Sequence, residues 1–181
     1  MILVAGGDSF VWGSELSDCP HGGPNGYSKK TFPALLASEY HCAAYPGIGN
    51  KEIYNRTIEH IKVYQPDIVL VCWTWSARDN DIDSDVYISG LETFLQNNNI
   101  KYLFTCADNC VITGNLDYTN WFFFPPGTGK NQTESPRGFY QWAVENKYPV
   151  GLDRHPLEEA HQQAAKLMKD KFNELAKKYI Q

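Results

Sequence analysis

Met1-Ile2-Leu3-Val4-Ala5-Gly6-Gly7-Asp8-Ser9-Phe10 opens the chain. Its first five residues are a short apolar run, the pattern of a buried strand. The two glycines let the backbone turn sharply at the end of that strand, which places Ser9 in a tight, exposed turn. Similar strand-like runs recur at residues 41–45, Ile68–Trp73 and Lys101–Cys106. Between them lie stretches of helical periodicity. Residues 31–40 set Phe32, Leu35, Leu36 and Tyr40 on one face, and residues 51–64 do so with Ile53, Tyr54, Thr57, Ile58 and Ile61. Residues 85–97 repeat the pattern through Val86, Ile88, Leu91, Phe94 and Leu95 before an asparagine run breaks it. Strands alternating with helices predict an α/β domain with a parallel sheet covered on both faces. A short fifth strand is expected at residues 148–152. A last helix is expected from Pro156, with a stripe that includes Leu157, Ala160, Ala164, Met168, Leu175 and Tyr179.

The chain has 181 residues, a length that suits one domain with its own core. Its apolar fraction of 43% and charged fraction of 20% are those of an ordinary globular protein, and no segment is apolar enough to span a bilayer. A net charge of -5 argues against a nucleic-acid partner, because phosphate neutralisation needs clustered Lys and Arg. The basic residues from Lys166 to Lys178 alternate with acids, as on the solvated face of a terminal helix. Five cysteines form an odd set, three of them in or beside predicted strands, and read as buried thiols. No basic and apolar leader precedes the first strand, so the expected location is cytoplasmic. The Asn-x-Thr sequons at Asn55 and Asn131 carry little weight in that setting.

Ser9 acquires chemical meaning from the other end of the chain, where Asp153-Arg154-His155-Pro156 precedes the last predicted helix. A serine hydroxyl is a weak nucleophile until a base removes its proton, and an imidazole oriented by a carboxylate is a common base. Asp153 and His155 can supply that pair. The bland reading of the same residues is a helix N-terminal region, where Asp is favoured by the positive helix end. Ser9 and the loops after the second and third strands would all lie beyond the carboxyl ends of a parallel sheet, where functional groups gather in such folds.

With these motifs the chain resembles the SGNH or GDSL hydrolases. Gly7-Asp8-Ser9-Phe10 corresponds to that family's first block. Asp153 and His155 correspond to its last block, with one residue between them where the family has two. The resemblance implies a three-layer α/β/α sandwich with a flavodoxin-like parallel sheet, formed as one domain over residues 1–181. It also implies a serine-dependent esterase that needs no metal or organic cofactor. Ser9 would be the nucleophile, His155 the base and Asp153 the orienting acid. The family's second block, which donates a glycine N–H to the oxyanion, falls on Gly47-Ile48-Gly49-Asn50, so Gly49 or Asn50 is the expected donor. The third-block asparagine is missing from the segment after the third strand, where Thr74 is the positional substitute and Ser76 lies behind it. Arg78, in the same segment, is a candidate for a polar or anionic substrate group. Family members act on lipids, short acyl esters and O-acetylated carbohydrates, so the implied partner is a small-molecule or carbohydrate ester. Two alternatives share the fold: a carbohydrate-binding module without turnover, and an acyltransferase using the same triad. The compact chain is also similar to small phage-encoded relatives of the family.

The loop at residues 108–137 carries Tyr118, Trp121, Phe122, Phe123 and Phe124, with Tyr140 and Trp142 following. Such an aromatic cluster reads first as a hydrophobic plug over the sheet edge and second as a sugar-stacking or acyl-binding wall. His161 is expected on the exposed face of the last helix, and His21, His41 and His60 have no partner spacing that singles them out.

Overall fold

A computed structural model describes residues 1–19, 26–79, 84–127 and 135–177. His21, Asn131, Lys178 and Tyr179 lie outside the described residues. Four parallel strands, β1 (Ile2–Gly6), β2 (Glu39–Cys42), β3 (Ile68–Trp73) and β4 (Lys101–Cys106), form one sheet in the order β2-β1-β3-β4. Register pairs Leu3 with Tyr40 and Ile68, and Leu70 with Leu103, so all four carboxyl ends emerge on one side. Among the described residues there are five α-helices: α1 (Ser9–Trp12), α2 (Asn50–Tyr64), α3 (Ser84–Asn97), α4 (Phe139–Glu145) and α5 (Glu158–Lys177).

Strand alternation divides the core into two layers. Val4, Val69, Val71, Trp73 and Phe104 pack on one side against Ile53 and Ile61 of α2 and Ile88, Leu91 and Leu95 of α3. Leu3, Ala5, Leu70, Cys72 and Leu103 face the other side, against Phe10 of α1, Phe139 of α4, and Ala160, Ala164, Met168 and Phe172 of α5. The result is the three-layer α/β/α sandwich with a flavodoxin-like sheet that the sequence led us to expect. No helix among the described residues is long and apolar enough to cross a membrane. Cys19, Cys42, Cys72 and Cys106 are buried thiols, and Cys110 is an exposed one.

The expected helix over residues 31–40 is a turn that runs into β2. Pro33 disfavours the helical region for Phe32, and the Phe32 N–H goes to His161 Nδ1 at 3.1 Å. Two bonds, Leu35 N–H to Thr31 O and Leu36 N–H to Pro33 O, hold the turn, and β2 begins two residues before the predicted start. His161 is correspondingly a core residue, 1% exposed and packed between Phe32 and Phe139, rather than a surface one. Residues 148–152 form no strand; Val150 makes one isolated antiparallel bridge to Pro156. α4 was not legible as a helix. The aromatic loop lies along the free edge of β4, with Phe104 N–H bonded to Asn120 O at 2.9 Å and Phe122 N–H to Phe104 O at 2.7 Å. Trp121 and Phe124 are buried there, as a plug over the sheet edge requires.

Candidate active site

The turn after β1 is set by steric need. A side chain at Gly7 would overlap Val11, so only glycine lets α1 fold back against the strand end. Asp8 caps this one-turn helix, its Oδ1 accepting from Phe10 N–H at 3.0 Å. Ser9 is the first helical residue. It is 6% exposed and lines a cavity of about 450 Å³ together with Ser14, Glu15, Pro46, Gly47, Arg78, Asp153 and His155. No hydrogen bond joins Ser9 Oγ to His155; both line the one cavity.

Glu15 was not legible in the sequence as a site residue, yet it is the carboxylate at the imidazole. Its Oε2 lies 2.8 Å from His155 Nδ1. The same carboxylate accepts the backbone N–H of Asp153 at 3.0 and 3.1 Å and that of His155 at 3.2 Å. Residues 151–155 therefore wrap around Glu15. A Cβ on Gly151 would meet the Glu15 carboxylate at 2.5 Å, which explains a glycine there. Glu15 sits in the left-handed region at φ 67, an uncommon conformation for a non-glycine residue and the one that turns its side chain toward this loop. Burial alone would raise its pKa, but the N–H groups of Asp153 and His155 and the imidazole outweigh burial, so Glu15 titrates below the ordinary carboxylate value.

Asp153, the expected orienting acid, contributes its backbone N–H but not its carboxylate, which is exposed at the cavity rim and makes no hydrogen bond to His155. Residues two apart on an extended chain point to the same side. Arg154 between them is left-handed at φ 64, and that twist separates Asp153 from the imidazole. The loop itself is pinned by Gly151 N–H to His155 O at 2.9 Å and by Leu157 N–H to Pro149 O at 3.0 Å.

The expected oxyanion donors are placed differently from the sequence reading. Asn50 is fully buried, and its N–H is directed to Asp79 Oδ2 at 2.6 Å. Its side chain ties α2 to the end of β3: Nδ2 donates to Thr74 O at 3.0 Å and Ser84 Oγ at 2.9 Å, while Oδ1 accepts from Thr74 N–H at 2.9 Å. Gly49 precedes α2 as its N-cap, where a side chain would overlap the Asp79 carboxylate, and it does not line the cavity. Gly47, two residues earlier, does. Thr74 is also fully buried, and its hydroxyl donates to Asp8 Oδ2 at 2.7 Å rather than facing the cavity. Ser76 Oγ lies 4.0 Å from Cys110 Sγ.

Arg78 reaches the cavity from a 3-10 turn, Ser76–Asp79, after β3. Its Nη1 donates to Asp8 Oδ2 at 3.1 Å and to Ile48 O at 3.2 Å, and its guanidinium lies 5.2 Å from the centre of the Trp75 ring. Burial raises the Asp8 pKa, opposed by the Thr74 hydroxyl, the Phe10 N–H and the charges of Arg78 and His155. Phe10 stacks on Tyr140 and meets Trp75 and His155 edge-on, so an aromatic layer backs the imidazole.

The sequence matches no protein-family model and no curated protein. Among solved structures it is similar to a protein described as lipolytic and of the G-D-S-L family, from Desulfitobacterium hafniense DCB-2. The TM-score is 0.54 and the identity 14%, over 93% of this chain and 98% of that one. A likeness at that identity shows a shared fold.

Proposed function

We propose that the protein is a serine-dependent hydrolase of carboxylic esters, with Ser9 as nucleophile, His155 as base and Glu15 in place of Asp153 as the orienting acid. The observation that carries this reading is the meeting of Ser9, His155 and Glu15 on one cavity, with a 2.8 Å contact between Glu15 and the Nδ1 side of the imidazole. That contact leaves Nε2 as the nitrogen that takes the Ser9 proton. Ser9 Oγ attacks the ester carbonyl, the alcohol leaves with a proton returned by His155, and water activated by the same imidazole releases the acid from the acyl-enzyme. Glu15 keeps the imidazole in one tautomer and stabilises the imidazolium. The shared fold with a protein described as lipolytic supports the same class of chemistry. Six of the eight residues lining the cavity are polar or charged, which favours a short acyl ester or an O-acetylated carbohydrate over a long lipid chain.

Turnover of 4-nitrophenyl acetate by the parent, Ser9→Ala and His155→Ala tests the reading. Removing either residue should reduce kcat by about three orders of magnitude or more. Hydrolysis by Ser9→Ala at the parental rate contradicts it, and a folded parent without turnover favours a binding role on the same fold.

A further inference from the structure

An oxyanion formed at Ser9 needs a donor on the same cavity, and neither Thr74 nor Ser76, in the segment that follows β3, lines that cavity. The Thr74 hydroxyl is bonded to Asp8 and its N–H to Asn50. The nearest partner of the Ser76 hydroxyl is Cys110. Of this segment, the residue that lines the cavity with Ser9 and His155 is Arg78. We propose that the Arg78 guanidinium is a catalytic residue, the side-chain donor to the oxyanion formed at Ser9. This inference rests on Ser9 being the nucleophile.

Three contacts make Arg78 a prepositioned donor. Nη1 is held by Asp8, the residue before the nucleophile, and by Ile48 O. The Trp75 ring supports the guanidinium from one side. A guanidinium carries five N–H donors in a rigid fork, so fixing Nη1 still leaves donors for a reacting oxygen. When Ser9 Oγ forms its bond to the carbonyl carbon, its proton passes to His155 Nε2, and the C=O π pair moves onto oxygen. The resulting alkoxide is the group that Arg78 receives. On collapse the pair returns to re-form C=O, the bond to the leaving alcohol breaks, and His155 returns the proton. Fixed donors aimed at such developing charge cost no reorganisation as the reaction proceeds. Recognition of an anionic substrate is the weaker use of this cation. The Arg78 charge already faces the buried Asp8, and Glu15 and Asp153 line the same cavity, so an approaching anion meets carboxylates as well.

The test is steady-state hydrolysis of the neutral ester 4-nitrophenyl acetate by the parent, Arg78→Lys, Arg78→Gln and Arg78→Ala. Thermal unfolding of each variant and fluorophosphonate labelling of the parent accompany it. In Arg78→Gln kcat should fall by about 10²-fold, with KM changed by less than about threefold. Arg78→Lys keeps the charge without the fork and should show a smaller loss, which also guards against misfolding caused by an uncompensated Asp8. Millimolar guanidinium chloride should restore part of the kcat of Arg78→Ala without raising its Tm, a split that a purely structural role would not give. A labelled, active parent with Arg78→Gln at parental kcat, or with the whole loss in KM, overturns the Arg78 assignment alone. A folded parent that neither labels nor turns over removes the Ser9 reading and this one with it.

Discussion

At the residue scale, the identity of the orienting acid is the sharpest point of the account. Glu15 accepts the His155 Nδ1 side and two backbone N–H groups from the loop that carries His155, whereas the exposed Asp153 carboxylate makes no hydrogen bond to the imidazole. Glu15→Gln should therefore lower kcat by about 10²- to 10⁴-fold, because an amide can hold the wrong imidazole tautomer and cannot stabilise the imidazolium. Asp153→Asn should stay within about threefold of the parent. Kinetics of both variants on 4-nitrophenyl acetate decide between the two carboxylates, and the reverse ranking would restore Asp153. That Ser9 and His155 meet on one cavity was legible because each sits in a short motif at a place that the strand pattern fixes. Glu15 was not. It stands 140 residues from its partner and belongs to no motif. What brings it into the site is a left-handed backbone angle that a glutamate does not advertise.

At the scale of elements, the start of α2 shows how one carboxylate redirected the expected oxyanion donors. Gly49 offers no side chain to cap α2, and Asp79, from the turn after β3, supplies the cap to the N–H groups of Asn50 and Lys51 at 2.6 and 3.2 Å. An acid at a helix N-terminus also complements the helix dipole. Asp79→Ala should cost about 1–2 kcal/mol, the usual value of a lost N-cap. For a chain of this length that lowers Tm by roughly 2–8 °C. An unchanged Tm in a thermal scan would show that the cap contributes nothing. Sequence reading placed α2 and α3 within one residue of their observed starts because their apolar spacing is unbroken. It failed at residues 31–40, where the spacing is equally helical. There Pro33 and the Phe32 N–H bond to His161 decide the local structure, and the second of these is a contact across 129 residues. A cap borrowed from another element, like a bond borrowed by a distant histidine, leaves no periodic trace.

At the scale of the whole molecule, strand and helix alternation was enough to predict the layers, since each strand's apolar run needs helices on both faces. The buried interior also carries a pH dependence. Burial lowers the His161 pKa from 6.5 to about 3, so the native state holds this imidazole neutral as the acceptor for Phe32 N–H. Below the unfolded value the denatured chain takes up a proton there that the native state refuses. The stability tied to His161 is therefore complete above about pH 6.5 and is lost as the pH falls toward 3, at up to about 1.4 kcal/mol per pH unit. His161→Gln retains an acceptor but not the titration. In urea unfolding, the parent's stability should drop relative to this variant between about pH 6 and about pH 4. A difference independent of pH would contradict the burial argument. The claim on which the rest depends is that Ser9 is an activated nucleophile, and intact-mass measurement after exposure to a fluorophosphonate tests it most directly. A single adduct is expected on the parent, mapped to Ser9 and absent from Ser9→Ala. A folded parent that gains no mass, or an adduct that persists in Ser9→Ala, would contradict it.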